Sequence, residues 1–147
     1  GGNLTKITVD DKQLKSVLGK ISSACRDLTP PLTGWGRKLV EQTRSQFVTE
    51  SDPDGDRWED LKPSTLLQKE RLGFPSTILT RTGAMAASIR FKAVARQLDL
   101  SSSSPYLKYH QEGTGRLPER KVLGITSDRK NEGAGIIRAY IKGRVRG

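Results

Sequence analysis

The chain has 147 residues, of which 33% are hydrophobic and 29% charged, with a net charge of +10. That length suits one domain with a lean core of its own, needing neither disulfide nor metal to hold it. A single cysteine, Cys25, excludes an internal disulfide framework and fits a reducing compartment; together with the lone histidine, His110, it leaves little material for a zinc site.

Residues 8–28 predict an amphipathic helix, because Leu14, Val17, Leu18, Ile21, Cys25 and Leu28 recur at three- and four-residue steps and share one stripe. Thr8 is placed to cap it, with Asp10 and Asp11 where the helix dipole favours negative charge. Pro30 and Pro31 break that helix and open a second, predicted over 32–49 through Leu32, Trp35, Leu39, Val40, Thr43 and Phe47. The expected N-terminal unit is therefore a helical hairpin over 8–50. Gly34 and Gly36 weaken its second helix by roughly 1 kcal/mol each relative to alanine, which fits either close packing or fraying.

Residues 51–62 predict an acidic loop built on the turn Pro53-Asp54-Gly55, with Trp58 as the anchor that pins it to the core. Pro63 opens a short helix that Gly73 ends, and Gly83–Ala87 forms another. From Ser88 onward, Ile89, Phe91 and Ala93 alternate with Arg90 and Lys92, the period of a strand. The phase breaks near Arg96-Gln97 and resumes at Leu98 and Leu100, predicting a hairpin with strands over 88–94 and 97–103. A helical turn over 105–111 and a loop over 113–118 precede a final helix over 127–142. Ser127 is expected to cap that helix, Ile136, Ile137, Tyr140 and Ile141 to form its apolar side, and 143–147 to follow as a basic tail. The fold class read from this order is α+β, in a single domain spanning 1–147: a helical hairpin, a central antiparallel hairpin or small sheet, and a C-terminal helix.

Charge is distributed unevenly. Residues 1–60 hold 9 basic and 10 acidic side chains, residues 61–115 hold 8 and 3, and residues 116–147 hold 9 and 3. A positive field confined to the second half attracts nucleic acid or an acidic protein surface, and it equally describes an ordinary soluble basic face. No run approaches the roughly 18 apolar residues of a membrane span. No apolar signal-peptide core follows Gly1-Gly2, an opening that reads as a trimmed terminus, and no membrane partner is expected.

Several constellations imitate chemistry. Asp52, Asp54 and Asp56 alternate as in a calcium loop, but Arg57 stands where that loop needs glycine and Pro63 where it needs a bidentate glutamate. Pro53-Asp54 with Asp60-Leu61-Lys62 matches a metal-dependent nuclease pattern, yet the two carboxylates flank a tight turn instead of sitting on adjacent rigid strands. Gly34-Trp35-Gly36 and Gly133-Ala134-Gly135 are fragments of a dinucleotide fingerprint, and no phosphate-binding loop occurs. His110, between Tyr109 and Gln111, reads as a hydrogen-bonding member of a polar turn, with nothing marking a nucleophile beside it. No catalytic residue, metal or cofactor is expected.

The order of short motifs carries more information than any of them singly. The stretches FVTESDPDGDRWEDLKPST, ILTRTGAM with SIRF after it, SPYLKYHQEGTG, and LPERKVLGIT before the last helix, spread over roughly 32–141, resemble the phage virion morphogenesis family. That family includes tail completion proteins of Mu-like and related contractile-tailed phages. Its pattern maps onto Pro53, Gly55, Trp58 and Leu61; onto Leu79, Thr82 and Gly83; onto Tyr106, His110, Gln111 and Gly113; and onto Pro118, Arg120, Leu123 and Gly124. Three positions depart from it: Leu107 and Glu119 where the family usually has alanine, and Val122 where an aromatic is common.

The resemblance implies a non-enzymatic virion protein, made in the host cytoplasm, that caps a finished tail tube and joins it to the head, as a ring of six. Its implied partners are copies of itself, the tube protein, the sheath protein and the head–tail connector or neck proteins, with genome DNA in the lumen. Lys121, Arg138, Lys142, Arg144 and Arg146 are the candidates for touching DNA or an acidic partner, while the motif side chains are expected to serve turns and core first. The alternative from a different class is a basic nucleic-acid-binding protein acting alone.

Overall fold

Asp10, not Thr8, opens the first helix, and the residues before it form a strand. In a computed structural model describing residues 5–19, 26–59, 65, 67, 71–72, 83–114 and 118–146, β1 spans Thr5–Val9 and α1 spans Asp11–Leu18. The Asp10 carboxylate accepts from the Gln13 amide while the Gln13 side chain accepts from the Asp10 amide, a reciprocal capping box. Ile7 and Val9 alternate with Lys6 and Thr8, so the first residues obey the period of a strand before the helical stripe begins. α1 ends at Gly19, whose φ of 74° few other residues adopt. Ile21 and Cys25, assigned from sequence to the same helix, lie outside the described residues.

α2 runs over Thr29–Thr49 and starts three residues earlier than expected, because Pro30 and Pro31 sit inside its first turn, where the missing N–H groups cost nothing. Asp27 assists by accepting from the Thr29 amide and hydroxyl. Leu32, Trp35, Leu39, Thr43 and Phe47 form its buried side, as the spacing requires, joined by Gln46. The expected helical hairpin is not what forms. α1 packs on the C-terminal helix instead of α2, since β1 carries the chain into the sheet and sets α1's direction.

Beyond the loop, residues 65, 67, 71 and 72 are helical, and the rest of the helix expected over 63–73 lies outside the described residues. α3 (Ala84–Ala87) follows Gly83, and β2 (Ile89–Val94) and β3 (Gln97–Ser102) pair as the antiparallel hairpin the alternation predicts. β1 adds to the other side of β3, giving a sheet of order β1-β3-β2. Arg96, in the hairpin turn, pairs with Asp11 at the start of α1, and this guanidinium, with Lys15 second, holds the Asp11 carboxyl below its usual range. α4 spans Leu107–Glu112. α5 spans Ser127–Arg146, about 30 Å of helix. Its cap is Thr126, whose hydroxyl accepts from the Arg129 amide, and not Ser127. The expected basic tail belongs to this helix as far as Arg146.

The result is a mixed α+β domain in which α2 lies across one face of a three-stranded antiparallel sheet and α5 lies beside α2. The glycines resolve the choice between close packing and fraying. A Cβ on Gly36 would sit 2.3 Å from the Phe91 ring, and one on Gly133 would sit 2.3 Å from the Trp35 indole. The aromatic rings occupy the space that a side chain would take. Ile136, Ile137, Tyr140 and Ile141 do supply the apolar side of α5, with Ala134 buried alongside.

Gly133→Ala is therefore expected to destabilise despite the better helix propensity of alanine, by about 1–2 kcal/mol net. Gly135→Ala, where a Cβ meets nothing within 4 Å, is expected to stabilise slightly. Thermal unfolding of the two single variants checks the opposite signs.

Candidate functional site

The motif positions are scattered in sequence, and many of them converge on one extended segment. Residues 118–126 have no regular secondary structure, yet Val122 and Leu123 are almost fully buried. Buried N–H and C=O groups need partners, each costing about 1–3 kcal/mol if left without one. Among the described residues no strand pairs with this segment. Side chains and isolated backbone groups do so in its place.

Gln111, near the end of α4, acts as a substitute strand. Its Oε1 accepts from the Val122 and Leu123 amides, both at 2.9 Å, and its Nε2 donates to the Leu123 carbonyl at 2.7 Å. Gln46, only 3% exposed inside α2, donates Nε2 to the Val122 carbonyl at 2.8 Å. Its Oε1 accepts from Arg129 Nη2 at 2.7 Å, and Arg129 Nη1 reaches the Gly124 carbonyl at 3.1 Å. Burial lowers the Arg129 pKa, against the opposing pull of Glu132 and Asp54. Arg120, 5% exposed, donates its amide to the His110 carbonyl and its Nε to the Glu59 carbonyl.

The acidic loop locks onto the same segment. α2 ends at Glu50, whose left-handed φ of 56° turns the chain, and a bridge between Ser51 and Arg57 closes the loop. The Asp52 carboxylate accepts from the Asp54 and Asp56 amides, each at 2.9 Å, so it organises the loop's own backbone. Gly55 takes a φ of 91° at the tip. Pro53 lies so near Gly124 that a Cβ there would be 2.7 Å from its ring. Trp58 is the anchor its sequence position promised: its ring meets Phe47 edge-on at 5.5 Å, and its Nε1 donates to the Lys121 carbonyl at 2.8 Å.

Pro53, Gly55, Trp58, His110, Gln111, Arg120, Leu123 and Gly124 thus form one assembly. Gly113 closes α4 with a φ of 73°, and Pro118 is half-buried at the start of the segment. Tyr106 stands apart on the surface, and Gly83 caps α3 at a distance in the chain. Leu61, Leu79 and Thr82 lie outside the described residues, as do Asp60 and Lys62 of the nuclease pattern. Two of the departures from the family pattern, Leu107 and Val122, are fully buried and still apolar; the third, Glu119, is exposed and pairs with Lys121. Of the other proposed contact residues, Arg138 donates to the Val17 carbonyl, Lys142 is exposed, and Arg144 and Arg146 lie in the last turns of α5.

Gln46 and Arg129 were not singled out from sequence. Gln46 had a signal, since it stands three residues from Thr43 and seven from Leu39, on the apolar stripe of α2. Arg129 had none, because a cation in the first turn of a helix reads as solvated. Chemically, this assembly binds its own main chain. Among the described residues no group of three or more His, Cys, Asp or Glu is placed to hold a metal, and no helix is long and apolar enough to cross a membrane.

Gln111→Leu is expected to cost about 3 kcal/mol, because it strands two amides and a carbonyl inside the protein. Gln42→Leu, which removes a single bond to the half-exposed Glu132, is expected to cost under about 1 kcal/mol. Urea unfolding of both variants measures the difference.

The phage virion morphogenesis family matches residues 9–142. The "Mu-like prophage FluMu G protein 1" of Haemophilus influenzae is 28% identical over 109 residues, which is 73% of this chain and 73% of that protein. No solved structure matches. With nearly its whole length covered, and with the motif residues gathered into one fold-defining assembly, the chain belongs to the phage virion morphogenesis family.

Proposed function

We propose that this protein is a structural component of the virion of a tailed phage, which completes the tail tube and presents the surface where the head docks. It works without turning over a substrate. The observation that carries this reading is how the family's polar motif residues are used: Gln111, Arg120 and Trp58 are bonded to the chain's own backbone. A catalytic family would be expected to keep such groups aimed at a ligand. The Mu-like prophage relative supports the same direction.

In this reading six copies form a ring at the end of the tail. Its partners are the tube protein on one side, the connector or neck proteins on the other, and the sheath around it. Such a ring uses a head-to-tail contact between unlike surfaces that closes by rotation. Genome passing through the lumen would meet basic side chains such as the exposed Lys142, with Lys121 and Arg138 at the surface beside Glu119 and the Val17 carbonyl.

Solution mass by light scattering, with imaging of purified particles, tests the reading. A closed ring of about six copies, and a location at the head-proximal tail end, are the expected results. A monomer that is absent from tails and binds duplex DNA with a steep salt dependence would replace it with the nucleic-acid-binding alternative.

A further inference from the structure

The sheet has one face against α2, and among the described residues no helix lies on the other. Strand register puts Lys6 opposite Ser101 and Ser101 opposite Arg90, and in the next row Thr8 opposite Asp99 and Asp99 opposite Lys92. These side chains share the face away from α2, since Leu98, Leu100 and Ser102 point to the buried side. Lys6, Arg90 and Lys92 are all exposed, and their side chains have no hydrogen bond or ion pair with any described residue. Asp99, the carboxylate among them, is already held by Thr8 Oγ1 at 2.7 Å and Gln97 Nε2 at 3.1 Å. Neighbouring strands are about 4.8 Å apart and alternate residues about 6.7 Å apart, so the three cations are rooted about 7–12 Å from one another. With Asp99 as its one carboxylate, the face is net positive and attracts an anionic surface.

The same chain carries a matching surface. Asp54, Asp56 and Glu59 are exposed, while Glu50 pairs with Arg57 and Asp52 is committed to the loop backbone. Within one chain the loop is already held by the Asp52 carboxylate, the Pro53–Gly124 packing and the buried Trp58. Little ordering entropy is then lost on docking. Within one chain none of these carboxylates pairs with the three sheet cations.

We infer that the acidic loop of one copy docks on the open sheet face of the next, setting Asp54, Asp56 and Glu59 against Lys6, Arg90 and Lys92. This rests on the ring reading above and assigns its head-to-tail contact to two named surfaces. Complementary charge gives the contact its register and its encounter rate, and unlike patches on opposite partners propagate around a ring.

The test reverses charge on one surface at a time, as Arg90→Glu with Lys92→Glu, and separately Asp56→Lys with Glu59→Lys. The substituted side chains are exposed, so both proteins are expected to keep the wild-type melting profile. Each alone is expected to need about a hundredfold higher concentration to assemble than wild type. An equal mixture of the two is expected to assemble at the wild-type concentration, because every loop then meets a sheet of opposite sign. Assembly of both variants alone would overturn this contact and leave the ring reading standing, as would a mixture that stays apart. A wild-type protein that never associates would overturn both. Loss of duplex DNA binding by the sheet variant, with assembly intact, would assign the face to nucleic acid and overturn the contact.

Discussion

A partly buried stretch of main chain with no partner strand among the described residues is the constraint on which this fold depends. Arg120, Val122 and Leu123 are buried, and the polar backbone groups of 120–124 are satisfied by Gln46, Trp58, His110, Gln111 and Arg129. Those partners come from α2, the acidic loop, α4 and α5. Fixing one short segment therefore fixes four elements relative to one another. In a protein with only 33% hydrophobic residues, burial supplies less of the orientation than usual, and hydrogen bonds with defined geometry supply more.

Close approach does the rest. Phe91 lies against the backbone at Gly36, Trp35 against Gly133, and Pro53 against Gly124. Each contact joins a ring to bare main chain, so layers meet at short range and dispersion is gained without more apolar residues. The first ties the sheet to α2, the second ties α2 to α5, and the third ties the loop to the extended segment. The glycines that weakened the helices as sequences are what let those helices pack.

Much of this was legible in the sequence where one period dominates. The 88–103 hairpin, the buried stripe of α2, the loop with its tryptophan anchor and the last helix follow from alternation, three- and four-residue spacing, and turn chemistry. β1 was hidden because only Ile7 and Val9 mark it, and both merge into the helical pattern that follows. The lost helical hairpin is a consequence of that same missed strand. The motif order identified the family, but its physical meaning was not readable in one dimension. Gln111 meets Val122 and Leu123 only after the chain has folded back, and Arg129 reveals itself only through its two acceptors.

In this member of the phage virion morphogenesis family the motif side chains hold the 120–124 segment in place. The most direct measure is native-state hydrogen exchange at the Val122 and Leu123 amides. If Gln111 truly replaces a strand, these two amides exchange as slowly as those in the middle of α2, opening only with global unfolding. Exchange at the rate of an exposed loop would show that the segment is not held, and the account built on it would be wrong.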